Sequence, residues 1–408
     1  MITGRWLGYL TVPHFVFVYF QQSSVGIGLL FVSVGLLVLY AAKGRLAITP
    51  LQLATLFVIF LSIVSSCLLF DSSAITRQLV SFICIGLVCV ATNELFRDVA
   101  LRRPEAVRAV ISNTFWFLVL IGITGKLRFF SPGVYAGYPK PIFPFAEESH
   151  YALTLGVIAC IYMMQIQPRL RLGIPIVLLG FAAWFPNATM LCSALMLTAV
   201  VFNFRTLLAW TALFGAIFIF VPDKWIDAVD VEYFNRRIKV GEEATNLTTV
   251  IYFQGWEQAW IATSESGGLG VGFQRFGAES AGRHAEFVRD VYRTELNRRD
   301  GSNLGSKVIG EFGFVGFALL IVAAVVGVGA FFRLRALRGI PADPAEVACL
   351  GIAYMFLVEL FFRGLGYFNP MFLFYLFCLP RTSIVRSTWR VLIQQLPRSR
   401  LHVSESTR

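Results

Sequence analysis

The feature that most constrains this chain is the recurrence of long apolar runs from one end of the sequence to the other. A bilayer core takes about 17–25 apolar residues of helix. Inside it every backbone N–H and C=O must be paired, which a helix achieves within its own segment. Twelve spans are expected, at 5–21, 25–42, 51–70, 75–95, 107–125, 149–166, 172–186, 188–203, 206–222, 308–332, 346–362 and 367–385. The chain is 57% hydrophobic and 14% charged, where a soluble protein carries about a quarter charged residues. The expected fold class is therefore an all-α polytopic membrane protein of about twelve helices. Its parts are nine spans over 1–222, a large loop at 223–307, three spans over 308–388 and a basic tail at 389–408.

The net charge of +11 raises nucleic acid as a partner, but the placement of the charges excludes it. Lys43, Arg45, Arg97, Arg102, Arg103, Arg108, Arg169, Arg171, Arg205, Arg333, Arg335 and Arg338 lie in short connections, and more arginines follow in the tail. With twelve spans these connections all fall on one side, which the positive-inside rule makes cytoplasmic, with both termini there. The opposite side receives 126–148, the long loop and Arg363. Membrane lipids, phosphate-bearing ones included, remain partners. The seven cysteines all lie in apolar runs, so no disulfide framework or metal cluster is indicated. The first apolar run lacks a small-residue cleavage site and reads as a span.

A loop of this length is expected to carry its own structure. Val250, Phe253, Trp256 and Trp260 predict an amphipathic helix over 248–263 lying at the membrane interface. Phe287, Val288, Val291, Tyr292 and Leu296 predict a second over 283–299. Between them lies Gly267-Gly268-Leu269-Gly270-Val271-Gly272-Phe273-Gln274-Arg275-Phe276-Gly277. No strand–helix context accompanies it, so a dinucleotide loop is excluded. Two readings stay open: a tight turn that glycine permits, and a turn whose free N–H groups face an anion. Either way the stretch is expected to fold the loop back as a lid over a cavity.

The residues able to carry chemistry fall on the same side. Glu147, Glu148 and His150 open the sixth span, as dipole-complementing residues or as a base that takes a proton from an attacking hydroxyl. Asn303, Lys307 and Glu311 share one helical face by their spacing of four, which either lines a cavity, the favoured reading, or snorkels to water. Arg236, Arg237 and Arg275 are solvated loop charges or phosphate ligands, since arginine forks onto phosphate oxygens. Arg363 stands between two apolar runs, where an ionised group is usually functional. His14 and His284 read as structural and surface histidines.

Taken in order, these segments resemble the O-antigen polymerase and ligase family of bacterial envelope glycan assembly. The carrying residues are Arg236-Arg237, then Gln254-Gly255-Trp256-Glu257-Gln258-Ala259-Trp260, then Gly268-Leu269-Gly270-Val271-Gly272-Phe273. Pro144-Phe145-Ala146-Glu147-Glu148-Ser149-His150-Tyr151 and Arg363-Gly364-Leu365-Gly366-Tyr367-Phe368 resemble segments of Wzy-type polymerases. The topology match runs over the whole chain; the motifs are short and degenerate. Two departures stand out. The His-Asn pair expected of ligases reads Ser302-Asn303 here, and the arginine expected ahead of the tryptophan helix is replaced by Tyr252-Phe253.

The resemblance implies a GT-C-like glycosyltransferase of the bacterial inner membrane that joins undecaprenyl-pyrophosphate-linked repeat units at the periplasmic face. It implies no cofactor and no metal, with a chain-length regulator as a partner. Arg236, Arg237, Arg275, Arg363 and Tyr367 would bind pyrophosphate, Glu147, Glu148 or His150 would take the acceptor proton, and Asn303, Lys307 and Glu311 would line the site. The alternatives are a ligase that transfers glycan to lipid A-core, and a lipid-linked oligosaccharide flippase, although no repeat relates the two halves as transporters usually require.

Overall fold

The computed structural model describes residues 2–22, 24–70, 72–100, 102–127, 133–137, 140–202, 205, 247–293 and 295–379. The expected ninth span, Arg236 and Arg237, the end of the expected twelfth span and the basic tail lie outside these residues. The described residues form α1 (Ile2–Tyr19), α2 (Val25–Ala41), α3 (Pro50–Leu69), α4 (Ile75–Ala100), α5 (Pro104–Lys126), α6 (Glu148–Gln165), α7 (Gly173–Trp184) and α8 (Ala188–Val201). They continue as α9 (Leu247–Glu265), α10 (Arg283–Tyr292), α11 (Leu304–Ala336), α12 (Pro344–Phe361) and α13 (Pro370–Cys378).

The fold is a mostly helical, multi-pass membrane fold. Among the described residues, five helices are long and apolar enough to cross a bilayer: α3, α4, α5, α11 with the turn after it, and α12. The expected seventh and eighth spans are helices of 12 and 14 residues, or about 18–21 Å at 1.5 Å per residue. They pack on each other as a hairpin through Asn187, which caps α8 by accepting from the Met190 N–H.

Helix starts follow the local sequence. Thr49-Pro50, Asp343-Pro344 and Asn369-Pro370 each set a capping side chain before a proline that needs no hydrogen-bond partner at the first helical position. Among the helices of 18 residues or more, α6 and α12 are the most enclosed, and they pack against each other at the centre of the bundle. By contrast α3 and α11 leave Phe57, Phe60, Phe314, Val325 and Phe332 exposed, an apolar surface suited to lipid. The basic connections gather at one end. Arg5 bonds Asp98 at 3.3 Å, joining the start of α1 to the end of α4. Arg335 and Arg338 donate to the carbonyls of Ala199 and Val201, both at 2.6 Å, joining the ends of α11 and α8.

Both expected loop helices are present, and the structure adds the face that each turns to the protein. α9 turns Val250, Gln254, Gly255, Gln258, Ala259 and Ala262 inward and packs on α11, while Trp260 is 74% exposed. Its small residues allow close approach: a Cβ on Gly255 would stand 2.3 Å from the Gly301 carbonyl oxygen in the turn before α11, and one on Gly310 of α11 would stand 3.4 Å from the Ala259 Cα. The second helix stops at Tyr292, where Arg293 takes a left-handed conformation, rather than running to 299. Only Val288 of its expected apolar face is fully buried, against Val250 and Ile251.

Candidate functional site

The end of the bundle away from the basic connections gathers the residues of interest into two neighbouring groups. The first joins α6 to the segment after α12. Arg363 Nη2 donates to Glu147 Oε2 at 3.0 Å, although 216 positions separate them in sequence. The same oxygen accepts from Ser149 Oγ at 2.9 Å and lies 3.8 Å from His150 Nε2. Burial works against charge on Glu147, but His150, Arg363 and Ser149 outweigh it and hold the carboxyl below the usual range. The ion pair therefore persists above the ordinary carboxylate pKa and is lost as pH falls through the lowered one.

Behind His150 stands His14 of α1, 1% exposed, with ring centroids 5.8 Å apart. Phe145 packs on His14 at 4.5 Å. Nδ1 of His14, Nδ1 of His150 and Nε of Arg363 are buried without a hydrogen-bond partner among the described residues. A cluster of a carboxylate, a guanidinium and two imidazoles with unmet polar atoms is equipped to bind an anion and to move a proton. The sequence alone gives His14 a structural reading; the signal that points to it is an ionisable residue inside an apolar run.

The second group surrounds Glu311, 0% exposed on α11. Its neighbours are Lys307, the Tyr367 hydroxyl and the backbone amides of Gln274 and Phe276, none in a hydrogen bond of normal geometry with its carboxylate. Lys307 Nζ donates to the Arg299 carbonyl at 3.0 Å and lies 5.7 Å from the Tyr367 ring centroid. Asn303 plays a structural part, since its side chain caps α11 by accepting from the Ser306 N–H at 2.9 Å. Glu148, the first residue of α6, is buried beside Glu147. Arg275 is held over the Phe70 ring at 5.2 Å, at the end of α3.

The glycine stretch explains how the second group is held. It is spliced into α11 rather than laid over the site. In an unbroken helix the Phe314 N–H would bond the Gly310 carbonyl. Here Phe314 N–H donates to the Gly268 carbonyl at 2.9 Å, while the Gly310 and Glu311 carbonyls accept from Val271 and Gly272 at 2.9 and 3.0 Å. The helix breaks at Gly313, whose φ of 56° and ψ of −132° only glycine adopts readily. On its other side the stretch is fixed to α3 and α4. Phe273 N–H donates to Ser62 Oγ at 3.0 Å, and Gln78 Nε2 donates to the Phe273 carbonyl at 2.9 Å. Of the two sequence readings of this stretch, the tight turn that glycine permits is the one seen, with left-handed Gly267, Gly268, Gly270, Gly272 and Gly277. The turn is largely buried, with Leu269 left exposed, and the anion its last amides approach is the chain's own Glu311.

An apolar cavity of about 210 Å3 is lined by residues of α3, α11, α12 and α13, with Leu304, Tyr367 and Leu379 among them. Among the described residues no three of His, Cys, Asp and Glu converge to hold a metal ion. No family model, curated protein or solved structure matches this chain.

Proposed function

We propose that this multi-pass protein is a glycosyltransferase of the polymerase kind, acting on polyprenyl-pyrophosphate-linked oligosaccharides at the outer face of a bacterial inner membrane. About twelve spans and cytoplasmic termini complete the topology. The observation that carries the reading is the meeting of Arg363 with Glu147 and His150 at the end of the bundle opposite the basic connections. The apolar cavity that Tyr367 helps to line supports it by offering a place for the polyprenyl chain.

In the proposed reaction an acceptor sugar hydroxyl attacks the anomeric carbon of the growing glycan. A C–O bond forms there, the bond to pyrophosphate breaks, and polyprenyl pyrophosphate leaves with the electron pair. The hydroxyl proton passes to the Glu147–His150 pair, with Glu148 next to it in sequence. The leaving group is already good, so the protein has mainly to orient two glycans and to stabilise developing charge on pyrophosphate. Arg363 meets that charge while Glu147 fixes its other edge, and Arg275 and Tyr367 are placed nearer the glycine splice.

Purified full-length protein supplied with lipid-linked repeat units should yield a ladder of longer glycans. Arg363→Ala should reduce it about a hundredfold or more, the usual effect of deleting a donor to developing charge. A ladder undiminished by Arg363→Ala and Arg275→Ala would overturn the site. A deletion strain should carry single repeat units on its lipopolysaccharide; bare core would indicate a ligase instead.

A further inference from the structure

A second polar pocket lies at the other end of the same central helices. α6 starts beside Glu147 and ends 18 residues later at Gln165, about 26 Å away at helical rise and close to the roughly 30 Å thickness of a bilayer core. There a pocket of about 220 Å3 opens between the end of α6, the α6–α7 connection, the start of α5 and the turn after α11. Arg108, Arg171 and Arg338 line it, and among the described residues no carboxylate does.

No described residue neutralises the three arginines. Arg171 is 8% exposed and donates only to carbonyls, those of Ile166 and Met164 at 3.3 Å and that of Arg338. Arg338 likewise donates to the carbonyls of Arg335 and Val201 at 3.1 and 2.6 Å. Arg108 has no partner among the described residues. Carbonyls satisfy N–H groups but leave the net positive charge, and gathering uncompensated charge at a partly buried site is unfavourable unless an anion joins it. Gln165 supplies a second, independent sign: both amide atoms are buried in this lining with no hydrogen-bond partner. Its nitrogen needs an acceptor and its oxygen needs a donor.

We propose that this pocket binds the headgroup of an anionic, hydroxyl-bearing phospholipid, with the phosphate on Arg108, Arg171 and Arg338 and the headgroup hydroxyl on Gln165. The choice of lipid over free phosphate rests on two features. The rim includes Ile340, 61% exposed, which offers an apolar ledge to an acyl chain, and inorganic phosphate has little to offer the ledge. A basic pocket between helix ends is also where the surface potential concentrates anionic lipid. This site is separate from the proposed glycan chemistry and stands whether or not that reading holds.

The test uses full-length protein in neutral detergent, titrated with dioctanoyl-phosphatidylglycerol or dioctanoyl-phosphatidylcholine and read by native mass spectrometry. Phosphatidylglycerol should bind at least tenfold more tightly. Arg108→Gln and Gln165→Leu should each weaken it about fivefold, and Arg108→Gln should leave lipid-free melting unchanged because Arg108 is exposed and has no partner among the described residues. Arg171→Gln is a poorer probe, since it also frees three carbonyls. Equal affinity for the two lipids, or wild-type affinity in both variants, would overturn the proposal. Displacement of phosphatidylglycerol by inorganic phosphate at matched concentration would overturn the lipid assignment.

Discussion

Replacing Gly270 by alanine is the sharpest test of the splice between the glycine stretch and α11. Gly270 has a φ of +80°, and a Cβ there would lie 2.5 Å from the backbone carbon and oxygen of Glu311 and from the Gly313 nitrogen. A left-handed conformation costs a non-glycine residue about 1–2 kcal/mol. Overpacking adds about 1–3 kcal/mol, and backbone atoms yield less easily than a side-chain tip. The expected loss is thus about 2–5 kcal/mol. Gly35 provides the matched control: it lies in α2 with nothing within 4 Å of its would-be Cβ. Alanine there is neutral or stabilising by about 0.5–1 kcal/mol, as in any helix interior. Thermal unfolding of the detergent-purified variants, followed by tryptophan fluorescence, should separate two substitutions of identical chemistry. Gly270→Ala should lower the midpoint by on the order of 2–6 °C, and Gly35→Ala should leave it level or raise it. Equal midpoints for both variants would refute the splice.

Glu279 should make the loop's stability depend on pH. Burial, assisted by Glu265, pushes its carboxyl up to about 7 against the Gly277 amide and Arg298, so the folded loop keeps a proton that the unfolded chain releases near about 4.3. That contribution is complete below about 4.3 and is lost as pH rises through about 7, by on the order of 3 kcal/mol; melting midpoints should fall from about pH 5 to about pH 8, and Glu279→Gln should flatten the profile. Glu257 accepts from the Arg283 and His284 N–H groups at 3.0 and 2.9 Å, capping α10 from the neighbouring helix. Glu257→Ala should cost about 0.5–2 kcal/mol locally and speed tryptic cleavage at Arg283 and Arg289, read by peptide mapping; unchanged cleavage would refute the cap.

What could be read from the sequence was whatever depends on neighbours within a few turns. Run length and composition determined the helical, membrane-crossing character. The caps at Thr49-Pro50, Asp343-Pro344 and Asn369-Pro370 are of the same local kind, since a cap and its target amide are two or three residues apart. Even the basic connections were legible as one end of the molecule, because helices carry alternate loops to opposite ends. Tertiary structure decided the rest. Periodicity in 248–263 predicted an interfacial helix with an aromatic face, but not which residues would meet the rest of the protein; packing gave that side to small residues such as Ala259, which admits the close approach of Gly310 in α11. The pairing of Arg363 with Glu147 spans 216 positions and exists only because α6 and α12 pack at the centre. The glycine stretch left two readings open from sequence, since a turn's hydrogen-bond partners are not written in the turn. They were supplied by α11, which opens its own ladder at Gly313 to receive them.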